Sequence, residues 1–582
     1  MGWTNNNQST MLSYFAFSDS PEYIRRKNTP FTPTHLSIQQ IRAAIPKELF
    51  EKSTVKGLAY VALDIFFAVV LYKLAWQIDA FSSYIAPQST VFKWSLWSVY
   101  WFAQSVVLAG WWCMAHEAGH GNISKHKWVN NLVGFGLHTF VLAPYFAWRA
   151  SHSAHHKATV NIERDENYVP RTRSQLGLPA LPTRDDTNTP VTSGTLEPVH
   201  EEDHPHPEGI AHPGRLPYHE MVEETPIAQL YARVRLFSSF TKAIITWVLD
   251  IAETLFRMFI MQTMGWQIYL FTDVSGSPRH PKGTNHFLPS SSLFASRPSV
   301  HRYLIISDLG ILVMMALLYL WARSPGVGAA NLVKLYGVPY IFLNHWIVLL
   351  TFLHHSDPTL PYYHSGQWSF ARGALSTVDR PLLSWGGRLF LKNVSHDHIS
   401  HHLFSNIPWY NQPRSTAILR ELLASPTSTG VEISPSASST TTSKTADVQV
   451  HSDSLAGYYT RASNGKEYQL GHYNYDSTPW PRAFWRSFRE CLWIDDLTPS
   501  EGDSDPYGGA IVFYRNREGK MHRELGVPVT VPDGTERTWP PESLRRRFCD
   551  RYMNTTSSEL CVVGRDPEKN KQDASPPRGD LV

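Results

Sequence analysis

The stretch "WSLWSVYWFAQSVVLAGWWCMAHEAGH", residues 94–120, decides the fold because an uncharged apolar run leads directly into two histidines. Residues 94–115 are long enough to cross a hydrocarbon core of roughly 30 Å as a helix. His116 and His120 then lie one turn apart on one helix face. This is the H-E-x-x-H pattern, in which Glu117 would be the general base of a zinc protease. The stretch therefore predicts a metal site at a membrane surface and leaves the metal open.

Three further apolar runs predict the rest of the membrane unit. Residues 57–78, which contain Asp64, form one predicted hairpin with residues 94–115, and residues 303–322 form a second with residues 335–353. Each run has the length of a transmembrane helix. The sequence thus predicts an all-α integral membrane protein with four transmembrane helices in two hairpins.

Two more apolar runs, residues 129–148 and 243–271, are broken by polar residues. If the histidine-rich motifs of the chain build one site, every segment between them must cross the bilayer an even number of times. We therefore expect residues 129–148 to be re-entrant or interfacial, and residues 243–271 to form an amphipathic interfacial helix. Lys and Arg are frequent outside the short loops, so the positive-inside rule predicts cytosolic termini and a cytosolic site.

The remaining composition sets the domain organisation. A net charge of +3 without a long basic run gives no reason to expect nucleic acid as a partner. The four cysteines are scattered and form no thiolate metal motif. The predicted units are a cytosolic N-terminal segment 1–56, a membrane unit 57–424 with a disordered insert at about 171–225, a low-complexity insert 425–464, a cytosolic cap part 465–520 and a polar tail 521–582.

Two other motifs repeat the geometry of the first. "HSAHH" at residues 152–156 and "HISHH" at residues 398–402 have the i, i+3, i+4 spacing that places three imidazoles on one helix face. The three motifs together supply His116, His120, His152, His155, His156, His398, His401 and His402. Eight imidazoles exceed the four ligands that tetrahedral zinc takes, so two metals of higher coordination number are predicted. Imidazole suits iron as well as zinc, and a redox metal would explain so many neutral ligands.

Several other polar residues bear on this site. His355, directly after the fourth predicted span, is the expected ninth ligand, whereas a structural role remains the alternative for it and for His354. His138 and His345 are expected to be polar residues satisfied inside the bundle. Metal-bound imidazoles usually donate their other N–H to a carboxylate. The candidates for that role are Glu117, Asp165, Asp379 and Asp397.

These motifs resemble the histidine boxes of the membrane fatty acid desaturases. "HEAGHGN" at 116–122, "WRASHSAHH" at 148–156 and "HISHHLFSNIPWY" at 398–410 are most similar to the delta-12 (oleate) acyl-lipid branch. Two departures are Ala118, where the branch commonly has Cys, and His396, where many relatives have an acidic residue. The resemblance implies a cytosolic helical cap that holds a di-iron site. Its iron ligands would be His116, His120, His152, His155, His156, His355, His398, His401 and His402.

The resemblance also implies a reaction. Two iron ions and dioxygen would remove two hydrogens from an acyl chain, most simply converting oleoyl to linoleoyl lipid at the endoplasmic reticulum membrane. The electrons would come from a donor of cytochrome b5 type with its reductase. An omega-3 desaturase or an acyl hydroxylase on the same scaffold, and more distantly an HExxH zinc protease, remain alternatives. Gly119 beside a ligand predicts a close approach of the acyl chain or of another helix.

Overall fold

A computed structural model describes most of the predicted membrane unit and parts of its flanks. The described residues are 18–34, 36–178, 239–423, 446–447, 459–461, 467–469, 473–496, 507–526 and 529–530. Most of the three segments predicted as inserts and tail, at 171–225, 425–464 and 521–582, lies outside the described residues.

The described residues are mainly helical, as the sequence predicts. The α-helices are α1 (Pro21–Asn28), α2 (Ile38–Ala43), α3 (Thr54–Ala75), α4 (Ile78–Ile85), α5 (Thr90–Gly119), α6 (Lys127–Phe140), α7 (Tyr145–His156), α8 (Ser239–Thr272), α9 (Pro298–Arg323), α10 (Gly328–Leu332), α11 (Val338–His355), α12 (Phe370–Leu375), α13 (Trp385–Phe390), α14 (His398–Leu403), α15 (Gln412–Leu422) and α16 (Trp480–Glu490). Short 3-10 turns occupy Lys47–Phe50 and Ser174–Leu176, and a π-helical turn, Val333–Gly337, joins α10 to α11.

Within the described residues, six short strands, which the sequence did not predict, form three two-stranded pairs. They are β1 (Pro361–Tyr363), β2 (Ala446–Asp447), β3 (Tyr459–Arg461), β4 (Glu467–Gln469), β5 (Ile511–Phe513) and β6 (Val529–Thr530). β1 pairs antiparallel with β5, with Pro361 opposite Phe513, β2 pairs parallel with β6, and β3 pairs antiparallel with β4. The β1–β5 pair joins residues 511–513 to the segment that follows α11.

Three helices of the described residues are long and apolar enough to cross a membrane: Thr54–Ala75, Pro298–Arg323 and Gly328–His355. They coincide with three of the predicted spans. The other predicted span lies in α5, a 30-residue helix that is long enough to cross a membrane but less apolar than these three. Its half from Gln104 to Ala118 is buried by neighbouring helices, so it needs few lipid-facing apolar side chains. The count of four spans therefore stays a prediction.

The two ambiguous runs form helices beside the bundle. Residues 129–148 divide into α6 and the start of α7 at Pro144, and α6 packs tightly on α9, where a Cβ at Gly310 would lie 2.6 Å from the Phe135 ring. Residues 243–271 belong to the single 34-residue helix α8. Apolar side chains such as Phe259 are exposed on its outer face, while Trp266 is buried. Both sides of the helix therefore carry apolar side chains, and the amphipathic interfacial placement of residues 243–271 stays a prediction.

A separate core holds the parts outside the bundle together. Side chains from α2, α12, α14 and α15 pack into one buried cluster, which includes Ile41, Leu375, Ile399 and Ile418. The N-terminal segment therefore packs directly against the helix that carries the third histidine motif.

A buried ionic network connects the same parts to the C-terminal segment. Asp357, directly after α11, accepts hydrogen bonds from Arg26 at 3.1 Å and Arg380 at 2.8 Å. Asp476 accepts from Arg380 and, at 2.6 Å, from Arg486. Because these five charges come from segments far apart in sequence, the network fixes how those segments sit beneath the membrane helices.

Candidate metal centre

Four helix ends bring the predicted ligands together. The C-terminal end of α5 carries His116, with His120 as its capping residue, and α7 carries the second motif in its last turns. His355 is the last residue of α11. The short helix α14 consists largely of the third motif. Each motif is helical, so the spacing places its imidazoles on one face.

Five imidazoles form one group. Single ring nitrogens of its members all lie within 4.8 Å of one another, and the members are His116, His120, His152, His156 and His401. His152 Nε2 lies 3.0 Å from His156 Nε2 and 3.2 Å from His120 Nε2. The Nε2 atoms therefore point to a common centre.

A second group lies beside the first. His155, His355 and His402 present ring nitrogens within 4.8 Å of one another. His398 joins them, because its Nε2 lies 3.1 Å from Nε2 of His355 and 3.1 Å from Nε2 of His402. The rings of His156 and His402 stack at 4.2 Å and connect the two groups. All nine predicted ligands thus converge in two adjacent groups.

The spacing of the nitrogens fits metal coordination. Two ligand atoms at right angles around an ion, each at roughly 2.1 Å from it, lie about 3 Å apart. Five Nε2 pairs in the two groups are separated by 3.0–3.4 Å. His401 Nε2 is buried without a hydrogen-bond partner among the described residues. Five imidazoles in one group exceed what tetrahedral zinc accepts. The donor set therefore fits two ions of higher coordination number.

The surroundings keep these rings neutral. Burial, followed by the neighbouring imidazoles, lowers the pKa of His152 and of His156 well below the ordinary value for histidine. The same causes lower the pKa of His402. A neutral imidazole has a free lone pair, which is the form that binds metal.

Two of the four predicted carboxylates contact imidazoles of the cluster. Asp165 Oδ1 lies 2.7 Å from Nδ1 of His155, and its other oxygen accepts the Val160 amide N–H at 2.9 Å. Glu117 Oε1 lies 3.2 Å from His116 Nδ1 and 3.6 Å from His401 Nδ1. The hydrogen bond between Asp165 and Nδ1 leaves Nε2 of His155 available to the centre. Glu117 thus lies behind two ligands.

The other two carboxylates do something else. Asp379 accepts the Ile399 amide N–H at 2.9 Å and a hydrogen bond from the Tyr473 hydroxyl. Asp397 lies 3.3 Å from the Arg388 guanidinium. Within the described part of the chain, neither makes a hydrogen bond to a cluster imidazole, so the structure does not bring these two carboxylates to the ring nitrogens. Asp379 thereby stabilises the start of α14, whereas the Asp397 side chain makes no cap hydrogen bond to that helix.

Three ring-nitrogen contacts were missed in the sequence. The Thr159 hydroxyl donates to the His155 carbonyl and lies 3.1 Å from His402 Nδ1, and the Asn167 amide lies 3.4 Å from His152 Nδ1. His398 Nδ1 lies 3.2 Å from the Val394 carbonyl. Hydroxyl, amide and backbone groups are too common to stand out in a sequence, whereas a carboxylate near a histidine motif does.

The remaining histidines lie outside both groups. His354 Nδ1 lies 2.6 Å from the Val378 carbonyl, and its ring stacks on His398 at 4.3 Å. This is the structural role that the sequence left open for it. His138 packs between the rings of Trp112 and Trp148, and His345 packs against Trp346 and Trp480.

The structure places helix α7 beside Gly119 but shows no unusually close approach there. A Cβ there would meet the Arg149 side chain of α7 at 3.4 Å, which is an ordinary contact. The glycine that the backbone requires is Gly121, which has a φ of 75°. This residue turns the chain away from α5 directly after His120.

An apolar cavity of about 590 Å³ leads to the cluster. Rings of His116, His152, His155, His355, His398 and His402 form part of its wall. Its other side is lined by α8, including Ile260 and Gly265, and by Val348 and Phe352 of α11. Trp148, also in the wall, stacks on His152 at 4.5 Å. The cavity has the size and lining of a site for an apolar chain.

Comparisons with known proteins match the chain to fatty acid desaturases and to an oleate hydroxylase. The family model described as fatty acid desaturase matches residues 95–184 and 226–429. A Delta(12) fatty acid desaturase of Mortierella isabellina is 34% identical over 480 residues, 82% of this chain and 92% of the relative. An oleate hydroxylase of Claviceps purpurea is 30% identical over 540 residues, 88% of each chain. An endoplasmic reticulum omega-6 fatty acid desaturase of Brassica juncea is 28% identical over 494 residues, 84% of this chain and 94% of the relative.

Proposed function

The chain belongs to the fatty acid desaturase family and is an oxidoreductase that acts on fatty acyl chains, and from this premise we propose that it converts oleoyl lipid to linoleoyl lipid by introducing the delta-12 double bond. The observation that carries the proposal is the pair of imidazole groups in the wall of an apolar cavity. An acyl chain in this cavity passes directly beside the place where the ligand nitrogens converge. Relatives named as Delta(12) desaturases support the position of the double bond.

The proposed cofactor is a pair of iron ions. His116, His120, His152, His156 and His401 would hold one ion, and His155, His355, His398 and His402 the other. When bound, the irons supply the activation of dioxygen. Desaturation breaks two C–H bonds and forms one C=C bond. Dioxygen accepts two electrons from the acyl chain and two from the proposed cytochrome b5-type donor with its reductase, and with two further protons it leaves as two waters.

The residues of this chain provide position and exclusion of water. Asp165 fixes the orientation of the His155 ring, and Glu117 lies next to Nδ1 of His116. Trp148 covers one ligand ring on the cavity side. The apolar walls from α8 and α11 hold the acyl chain and exclude water from the reacting carbons.

We also propose the arrangement in the membrane. The protein would be a multi-pass protein of the endoplasmic reticulum membrane with four spans, and its termini and metal centre would be cytosolic. Three apolar helices and a relative whose name includes the endoplasmic reticulum support this placement. The positive-inside distribution of Lys and Arg supports the orientation.

Expression in a host that makes oleate but no linoleate tests the activity. Linoleate in the lipids, detected by gas chromatography, is the expected result, and the His401→Ala variant is expected to give none. Unchanged oleate with well-expressed protein and a working electron donor would contradict the proposal. One zinc and no iron per purified chain would contradict the metal assignment and favour the zinc-protease alternative.

A hydroxylase is the second candidate. The Claviceps purpurea relative is named an oleate hydroxylase and is nearly as similar as the desaturase of Mortierella isabellina. The same host distinguishes the two because a hydroxylated acyl chain separates clearly from linoleate. Feeding linoleate tests the omega-3 alternative, which would give a triene.

A further inference from the structure

The loop between α13 and α14 inserts between the first two membrane helices. The Phe390 carbonyl lies 2.8 Å from the position that a Cβ on Gly110 of α5 would take. The Phe390 ring contacts Phe67 of α3 edge-to-face at 5.5 Å. Leu391 and Lys392 are buried, with exposures of 0% and 1%. Residues 390–394, here called the inserted segment, therefore form part of the bundle although they belong to the chain outside it.

The inserted segment is held by an ion pair inside the first span. The Lys392 ammonium donates to Asp64 Oδ1 at 2.8 Å and to the Leu389 carbonyl at 2.8 Å. Asp64 is 2% exposed. A carboxylate within an apolar span is costly and marks a function when it is kept. Lys392 also has a φ of 50°, and such a backbone persists only where the surroundings determine it strongly.

The same segment reaches both the acyl cavity and the metal centre. Val394 lines the cavity. Its carbonyl lies 3.2 Å from Nδ1 of His398, a member of the second imidazole group. The Asn393 amide donates to the Trp409 carbonyl at 2.8 Å and fixes the segment from its other side. A displacement of Lys392 would therefore move a cavity wall relative to the centre.

We infer that the Asp64–Lys392 ion pair is a positioning device that sets which carbons of the acyl chain face the metal centre. This inference rests on the proposed function and adds to it two residues that determine positional specificity. Neither residue lines the acyl cavity. Both therefore act on it indirectly, through Val394 and His398. The choice between neighbouring carbons depends on displacements of about 1 Å, which are sufficient to change rates by large factors.

Two variants test the inference in the full-length protein, expressed in the oleate-producing host. Asp64→Glu keeps both charges but adds a methylene that displaces Lys392. The double variant Asp64→Leu/Lys392→Met replaces the pair by apolar side chains, an exchange that buried ion pairs often tolerate. The readouts are iron per chain and the positions of double bonds and hydroxyl groups, determined by gas chromatography and mass spectrometry.

Both variants are expected to retain iron and to raise the share of products modified at other positions at least about threefold, because placement and not chemistry is altered. The control is the Asp79→Asn/Lys334→Met double variant, which removes a more exposed pair with a 3.2 Å contact that does not line the cavity. It should leave the product pattern unchanged.

Two results would overturn the inference. If the Asp64 variants retain activity with the wild-type product pattern, the pair serves only to neutralise a buried charge. If neither yields folded protein while the control does, the pair is an element of folding alone. Failure of the proposed function would appear separately, as wild-type protein that leaves oleate unchanged.

Discussion

At the scale of single residues, the ring nitrogens that face away from the centre would determine how tightly the cluster binds the proposed iron ions. His155 depends on Asp165, which is buried and also accepts a backbone N–H. A carboxylate in this position fixes the tautomer and increases the basicity of the ligand. The geometry of one contact therefore affects the affinity of a whole group.

Replacing Asp165 by Asn should weaken metal binding by about 10- to 100-fold, since the neutral amide no longer raises the basicity of His155. Iron retained per chain after dialysis against increasing chelator measures the effect. The matched control is Glu163→Gln, a nearby exposed carboxylate that pairs with His364. Equal iron loss in both variants would show that the loop, and not the contact with His155, is responsible.

The ligands themselves could be predicted because helical spacing alone places i, i+3 and i+4 on one face. The residues behind them could be predicted only in part. Asp165 and Glu117 stand out as charges near the motifs. Asp379 and Asp397 look the same in sequence, but Asp379 accepts the Ile399 amide N–H and Asp397 pairs with Arg388. Tertiary packing decides which carboxylate reaches a ring.

At the scale of elements, α3 and the loop after α5 approach each other closely. A Cβ on Gly57 would lie 2.1 Å from the Ile123 carbonyl. Gly57→Ala must therefore move the backbone next to His120, and overpacking of this kind costs about 1–3 kcal/mol. We expect a lower melting temperature in detergent and reduced iron content, measured on the same preparation.

Gly136→Ala in α6 is the matched control because no atom lies within 4 Å of its Cβ position. Alanine favours the helix over glycine by up to about 1 kcal/mol, so this variant should melt at the same or a higher temperature. A Gly57→Ala protein that melts like wild type would mean that the contact is loose.

Helix α8 offers a second test because it forms one wall of the cavity. A Cβ on Gly265 would lie 3.5 Å from both Met261 and Val348, so the larger side chain of Gly265→Leu has to enter the cavity. Desaturation should fall at least about tenfold, equivalent to 1.4 kcal/mol in the barrier, while iron content stays unchanged. Gas chromatography and metal analysis give the two readouts.

The control for this variant is Met264→Leu, a change on the exposed side of the same helix. Normal activity is expected there. If Gly265→Leu is as active as wild type, the acyl chain does not pass along α8, and the cavity has another use.

The elements differ in how far their sequence determines them. The strongly apolar spans were predictable from composition alone, and α5 was predictable as a helix. The depth of α5 in the bundle was not, because burial by protein and burial by lipid favour similar residues. Asp64 was visible as a charge in a span, but its partner Lys392 lies 328 residues away in sequence.

At the scale of the whole molecule, the Arg–Asp network determines how the N-terminal and C-terminal segments close beneath the cluster. Burial alone would raise the pKa of Asp357, but the charges of Arg26, Arg380 and Arg486 hold it at about 2. An aspartate with a lowered pKa in the folded protein stabilises it above its unfolded pKa of about 3.9. That contribution is lost as the pH falls towards 2.

Such long-range pairing could not be predicted from the sequence. Each Arg and Asp of the network looks like an ordinary surface charge, and only the fold buries them together. The β1–β5 pair could not be predicted either, because three-residue strands carry too little pattern to be recognised. The order of the apolar helices was predictable, whereas the packing of the segments outside the bundle was not.

Arg26→Met should release the N-terminal segment from this network. Removing one partner leaves Asp357 with less compensation, and breaking a buried ionic contact costs about 3–5 kcal/mol. We expect a clearly lower melting temperature in detergent at neutral pH and faster cleavage by protease before the first span. Protonation of Asp357 at low pH removes the same interaction in the wild type. The difference in melting temperature between variant and wild type should therefore shrink as the pH falls from 4 towards 2.

Arg25→Met, a change at an exposed neighbour in α1, is the control and should melt like wild type. A similar loss of stability in both variants would show that the helix itself, and not the Arg26–Asp357 contact, is responsible.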